Sequence, residues 1–497
     1  MDARFAIVGR RTVRVWHAST PAHRVAQAPP PEPQPMRRSG PRLRGGRRDA
    51  LSLLWLVAFA MALWPHWRWA AARLADGSDD PLGIAALAVL AACVGRFAAR
   101  LRQEPTPGWL SVAVLLVAAA TVLGACAPAL VAALVAAMAL AAVIAAFAPI
   151  GTPVAPIAGL AALALPIVSS LQFYAGYPLR VVTAEASTAV LGLFGFAASR
   201  QGSAMQVDGH LVIVDAPCSG VQMVWMAYFC ACAIACWRGL PEGTFARRVA
   251  GVGGIVLAGN IARNCLLVGL EARGVAASPL LHEAIGLVLL ALVCAAVVAL
   301  MARAPIAPAT RNCVFPSEGV QLQGRMAAAL AAMLVLCALV PVATSAMSSP
   351  PPGDAPATEA PRQWRGRPLR PLALDAVEAR FAAHFPGRIE RLTDDASILV
   401  WREVTAPTRM LHPATDCYRG LGYRIDEARL ERDAEARLWR CFVARRDGRA
   451  VHVCERIEDA AGGSFTDASS WFWAAALGHS TGPWHAFTVA TPLGSST

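Results

Sequence analysis

Apolar residues run along the first two thirds of this chain in blocks of about 20, with polar residues gathered in the gaps. A helix needs about that length to cross the hydrocarbon core of a bilayer. Nine blocks qualify: 51–72, 82–99, 108–126, 128–148, 154–175, 220–238, 248–270, 280–302 and 326–346. The first is marred by Pro65, His66 and Arg68 near its end, and the second is short. A further apolar stretch, 183–199, is interrupted by Glu185, Ser187 and Thr188, which suits a re-entrant or interfacial helix and makes the count eight to ten. Past residue 346 the pattern changes. Residues 347–363 form a Pro-rich linker. From 364 to 497 charged residues mix with aromatics in short strand-like runs, such as Ile398-Leu399-Val400-Trp401, 438–445 and 450–457. The expected fold is a polytopic α-helical membrane bundle of about nine transmembrane helices, followed by a small α+β soluble domain. Residues 1–50 are rich in Arg and Pro without apolar period and read as a disordered cytoplasmic arm. The membrane core then spans 51–346 and the second domain 364–497.

Composition agrees. Of 497 residues, 56% are hydrophobic and 16% charged, against about 25% charged in soluble proteins. A disordered tail, a disulfide-rich secreted domain and a fibrous repeat are excluded. Every one of the 45 basic residues is arginine, and the net charge is +12. Eleven arginines lie in the first 50 residues, against Asp2, Glu32 and Asp49. Such an arm suits nucleic acid or acidic lipid headgroups. Beside a membrane bundle it reads as a cytoplasmic anchor, so the expected partner is membrane lipid and no nucleic acid. Arg10-Arg11 looks like a twin-arginine signal, but no apolar segment follows within reach.

Arginine bias sets the orientation. With the N-terminus inside, the inner loops carry Arg96, Arg100, Arg102, Arg238, Arg247, Arg248, Arg303, Arg311 and Arg325. The outer loops carry Arg68, Arg73, Arg180, Arg200 and Arg273. The C-terminal domain then lies outside. The expected location is the inner (cytoplasmic) membrane, multi-pass, with the C-terminal domain periplasmic.

Polar residues inside apolar spans are costly, an arginine about 2.5–3.5 kcal/mol on insertion scales, and therefore point to function. Asn260, Arg263 and Asn264 are spaced i, i+3, i+4 in the seventh span and share a face. The competing reading is a snorkelling arginine, but Glu271 and Arg273 already supply the boundary. Ser278 and Pro279 form a good helix start, N-cap and first position. His282 falls in the first turn, where the helix dipole disfavours imidazolium and leaves a base. Asp215-Ala216-Pro217-Cys218-Ser219-Gly220 follows a strand-like run, Leu211 to Val214, and precedes the sixth span. A cysteine at a helix N-terminus has a lowered thiol pKa and suits a nucleophile; the bland alternative is a small packing residue. The arginine-derived topology puts Cys218, Arg263 and His282 on one side of the membrane. A cysteine nucleophile needs a base and a donor for the oxyanion, and His282 and Arg263 supply them.

These residues, within 215–286, resemble the exosortase/archaeosortase family. Its C-[S/A]-G turn is matched by Cys218-Ser219-Gly220, its N-x-x-R by Asn260 to Arg263, and its H-x-x-x-G by His282 to Gly286. Pro217 departs from the small residue the family often has before the cysteine. The resemblance covers roughly 50–305. It implies a membrane-embedded cysteine transpeptidase with Cys218 as nucleophile, Arg263 as oxyanion stabiliser and His282 as general base and acid, and Asn260, Ser219, Gly220 and Gly286 in support. Its implied partners are exported proteins carrying a C-terminal motif, a transmembrane helix and a basic tail, which are cut and passed to a cell-surface acceptor of unknown identity. The rival classes are a transporter or export factor for polysaccharide or lipid-linked glycan, whose mark is inverted repeats with broken helices, and a non-enzymatic assembly factor.

In the second domain, Leu411-His412-Pro413 through Cys417 to Gly420-Leu421-Gly422 resembles the H-x-P…C…G-x-G segment of the exosortase-associated periplasmic domain, although His412 and Pro413 are adjacent here. His412 and Cys417 are candidates for a second thiol site or a structural pair. Arg446-Asp447-Gly448-Arg449 reads as a two-residue hairpin with a type I′ turn. Pairing 446 with 449 sets 441 opposite 454. Counting outward, that is a non-hydrogen-bonded pair with Cα atoms about 4.5 Å apart, so Cys441 and Cys454 are an expected disulfide. Thirteen cysteines occur, ten of them between Cys93 and Cys337, and none has zinc spacing. Cys230, Cys232 and Cys236 share one helix without histidine or carboxylate, which favours packing over a soft metal. No metal and no cofactor are expected.

Overall fold

The structure is a computed structural model that describes residues 46–75, 79–201, 204–208, 210–213, 220–275, 278–305, 318–345, 359–374, 376–383 and 385–493. Most of the arm and linker expected from the sequence, and Cys218 and Ser219, lie outside the described residues.

The first part is helical. α1 (Gly46–Ala62) and α2 (Trp64–Ala75) cover the first expected span. They part at Leu63, just ahead of Pro65, which lacks an N–H to continue the ladder and whose ring clashes with the carbonyl four residues back. α3 (Leu82–Phe97), α4 (Pro107–Cys126) and α5 (Ala129–Phe147) follow. α5 is alanine-rich, and 67% of its apolar window is buried. Its small side chains let neighbouring helices approach closely. The fifth expected span is broken into α6 (Val154–Leu163) and α7 (Val168–Tyr174), bent by 90°. Pro166 sits in the break, where it lacks an N–H and its ring clashes with the carbonyl four residues back. α8 (Gly176–Leu193) follows, then three short antiparallel strands, β1 (Ala198–Gln201), β2 (Ala204–Val207) and β3 (His210–Ile213). α9 (Val221–Arg238), α10 (Glu242–Ala272), α11 (Pro279–Ala302) and α12 (Gly324–Ser345) complete this part. Among the described residues seven helices are long and apolar enough to cross a membrane, or eight if the bent pair is one span. The two proline breaks account for the difference from nine.

α10 has 31 residues, about 46 Å at 1.5 Å per residue, which exceeds a hydrocarbon core of about 30 Å. Its C-terminal part joins a small core of its own. Leu267 and Val268 pack with Ala184 and Leu191 of α8 and with Met205 and Val207 of β2. The 183–199 stretch is thus mostly helix α8 laid along the end of α10, with β1 to β3 beside it.

The second part is α+β. Its elements are β4 (Gln363–Trp364), β5 (Arg367–Pro368), β6 (Arg370–Leu372), α13 (Ala376–Ala382), β7 (Gly387–Thr393), β8 (Ile398–Val404), α14 (Ala414–Gly420), β9 (Arg424–Arg432), β10 (Leu438–Arg446), β11 (Arg449–Glu458), β12 (Ser464–Phe465), α15 (Ala468–Ala476) and β13 (Trp484–Leu493). The main sheet runs β6-β7-β8-β13-β11-β10-β9, and every pair is antiparallel. Asp447 and Gly448 take φ of 51° and 74°, as a type I′ turn requires. The register pairs Arg446 with Arg449 and Cys441 with Cys454. The sulfurs of Cys441 and Cys454 are bonded, with Cα atoms 4.0 Å apart.

This domain sits on α7 and α8. Arg180 Nη2 of α8 pairs with Asp467 Oδ2 at 2.7 Å, and both side chains are largely buried. Trp473 Nε1 of α15 donates to the Tyr174 carbonyl at 2.7 Å. Arg409 donates to Ser169 Oγ at 2.8 Å, and Asp79 accepts from the same serine's hydroxyl and backbone N–H. Phe173, Tyr174 and Phe472 meet edge to face.

Candidate functional site

Gly220 caps the start of α9 with φ +78°. A Cβ there would fall 2.8 Å from Asn260 Cγ and 2.9 Å from its Nδ2. Glycine is therefore required twice at this position, for the left-handed backbone and for the close approach. Gly220 is pressed onto α10 in this way; Cys218 and Ser219 lie outside the described residues. Asn260 is buried, and its Nδ2 donates to Thr183 Oγ1 of α8 at 3.0 Å.

One turn further along α10, the Arg263 guanidinium lies over Gly286 of α11. A Cβ on Gly286 would fall 3.1 Å from Nη2 and 3.3 Å from Cζ. His282, half-buried, sits four residues before Gly286 on the same stripe of α11. Ser278 caps that helix, accepting from the Leu281 N–H at 3.2 Å, with Pro279 in the first turn. Asn264 is buried with Nδ2 3.5 Å from Met205 Sδ. Among the residues singled out from the sequence, Gly220, Asn260, Arg263, His282 and Gly286 thus gather where the start of α9, the C-terminal half of α10 and the first turns of α11 meet.

Sequence reasoning missed the α8 side of this cluster. Thr183 and Ser187 are fully buried there, the Cys265 thiol donates to the Ser187 carbonyl at 3.8 Å, and Arg180 is buried three residues before Thr183. The polar breaks in the 183–199 run carried the signal. Of the cysteines of α9, Cys232 packs as a small residue: its Sγ occupies the space a Cβ on Gly159 would need, 2.5 Å away.

A second cluster lies in the soluble domain. His412 Nε2 is 3.1 Å from Cys417 Sγ, and His412 Nδ1 is 2.9 Å from the Met410 carbonyl. A carbonyl only accepts, so Nδ1 carries the proton and Nε2 is left to accept from the thiol. Burial, together with Arg402 and Arg409, pushes the imidazole down to about 4. Crowding by protein atoms pushes the Cys417 thiol up, with Arg402 pulling the other way, while the residue stays exposed at its outer side. Glu455 accepts from the Ala414 N–H at 2.6 Å, and burial raises its carboxyl against the pull of Arg440. Elsewhere in this domain the ligand atoms of Glu431, Cys441, His452 and Cys454 lie within 4.8 Å of one another. The two sulfurs are bonded to each other, and a metal needs thiolates.

The family model for transmembrane exosortases matches residues 46–299. No curated protein and no solved structure matches the chain. The matched stretch takes in every helix that contributes to the first cluster and stops short of the soluble domain.

Proposed function

The chain belongs to the transmembrane exosortase family, and from that premise we infer that it is a membrane-embedded cysteine transpeptidase. Its substrates are exported proteins that end in a short motif, a transmembrane helix and a basic tail. The observation that carries this reading is the pair of glycine contacts, Gly220 on Asn260 and Gly286 on Arg263. They bring the start of α9, which follows Cys218 in sequence, together with the parts of α10 and α11 that bear Arg263 and His282.

In the proposed reaction His282 takes the Cys218 thiol proton as sulfur attacks the scissile carbonyl. Arg263 donates to the oxyanion of the tetrahedral intermediate. The C–N bond then breaks, His282 returns the proton to the leaving amine, and a thioester remains. A nucleophile on the acceptor, deprotonated by His282, resolves it and restores the thiol. Gly220 and Asn260 fix the turn. The N-terminal arm lies on the cytoplasmic side of the inner membrane, and the site and soluble domain lie on the other.

Replacing Cys218 by Ala is the direct test. Processing of substrates in cells is expected to stop while the protein still accumulates in the membrane. Arg263→Lys should lose most activity too, because lysine lacks the planar fork that matches an oxyanion and its neighbours. A transporter or scaffold would tolerate both changes, and full processing by Cys218→Ala overturns the proposal.

A further inference from the structure

Cys417 has no cysteine left to pair with in its domain, because Cys441 and Cys454 are bonded to each other. Among the described residues no third metal-ligating side chain gathers with it and His412. What it has is a base in contact, with the tautomer fixed by a carbonyl behind it. A nucleophile, a base and a group that orients the base are the parts of a working nucleophilic site.

A recess opens beside His412, lined by Arg402, Glu455, Arg456, Thr466 and Asp467. Arg402 and Arg456 are each more than nine-tenths buried. Arg402 Nε, Arg456 Nε and Arg456 Nη1 find no acceptor among the described residues. Buried donors without acceptors are costly, and two arginines in the lining of a recess that reaches His412 give its surroundings the positive charge that suits the oxygen atoms of an acyl group.

We propose that Cys417 and His412 form a second nucleophilic thiol site, on the soluble domain, which accepts acyl groups from thioesters. The thiol rests protonated against a neutral imidazole, so the pair works by general-base assistance at the moment of attack. Cys417 sulfur bonds to the acyl carbon of the donor thioester while His412 Nε2 takes its proton. The acyl carbon–sulfur bond of the donor breaks, and the departing thiolate receives that proton. One thioester replaces another, with no oxidant or reductant.

The test uses purified full-length protein carrying Cys218→Ala, so that its outcome is separate from the chemistry at Cys218. The protein is incubated with a small acetyl thioester, and acetylation of the Cys417 peptide is followed by mass spectrometry. The proposal expects acetyl on Cys417 and about a hundredfold slower acetylation in His412→Gln, the low end for general-base assistance. The pH profile is a second readout. A base with a pKa of about 4 is neutral throughout pH 6 to 8, so the parent rate should stay nearly flat across those two units. An unassisted thiol reacts as thiolate and speeds up about a hundredfold from pH 6 to pH 8. The other charged groups facing the pair are Arg402, Arg409, Asp416 and Glu455. No acetyl on Cys417, equal rates with and without His412, or a hundredfold slope in the parent each overturns the proposal. If His412→Gln loses the Cys441–Cys454 disulfide and so fails to fold, the parent's pH profile alone decides.

Discussion

Two glycines, Gly220 and Gly286, set how closely α9 and α11 approach the polar residues of α10. Gly220 holds a positive φ and lies against Asn260. An alanine there costs about 1–2 kcal/mol for the left-handed backbone alone, and its Cβ must displace the Asn260 amide. Gly220→Ala should therefore leave the bundle folded and lower substrate processing at least tenfold, read by the ratio of processed to unprocessed protein in cells. Processing at the wild-type rate would mean that the turn before α9 does not need this contact. At this scale much of the cluster was legible. Asn260, Arg263 and His282 stand out because polar groups in apolar spans are expensive. Thr183 did not stand out, since a single threonine is cheap in a helix. Arg402 and Glu455 were equally hidden: they sit on separate strands, and only the sheet brings them to His412.

Local chemistry made some elements readable and distance hid others. The hairpin of β10 and β11 follows from four consecutive residues, and its register places Cys441 opposite Cys454. Pro166 and Pro65 break helices by removing or misplacing a single backbone group, so the breaks are in the sequence, yet an apolar average over 20 residues smooths them away. The seat of the soluble domain had no sequence signal. Arg180 and Asp467 are 287 positions apart. Their side chains are 4% and 15% exposed, and breaking a buried pair from one side costs about 3–5 kcal/mol at full burial. Asp467→Asn keeps an oxygen to cap α15, where the aspartate now accepts from the Ser470 N–H at 2.8 Å, but leaves Arg180 uncompensated. Amide exchange over α15 should rise by up to about a hundredfold as the domain lifts from α8. Unchanged exchange would show that Trp473 and the aromatic contacts hold the seat by themselves.

For the molecule as a whole, two compartments and two thiols are at issue. If the soluble domain lies outside the cytoplasm, the Cys441–Cys454 bond is permitted there. Non-reduced peptide mapping of protein from native membranes should then recover a 441–454 link with Cys417 alkylated. Free Cys441 and Cys454 would place the domain in a reducing compartment and reverse the orientation argued from arginine bias. The C-terminal domain is joined to the bundle through α7 and α8. The central claim is that Cys218 carries the acyl group. The measurement that tests it most directly is mass spectrometry of the wild-type protein trapped with a substrate during turnover. The expected result is a substrate acyl group on the Cys218 peptide that hydroxylamine removes and that Cys218→Ala lacks. Substrate cleaved and transferred by Cys218→Ala, or an acyl group found on another residue while Cys218 stays unmodified, would contradict it.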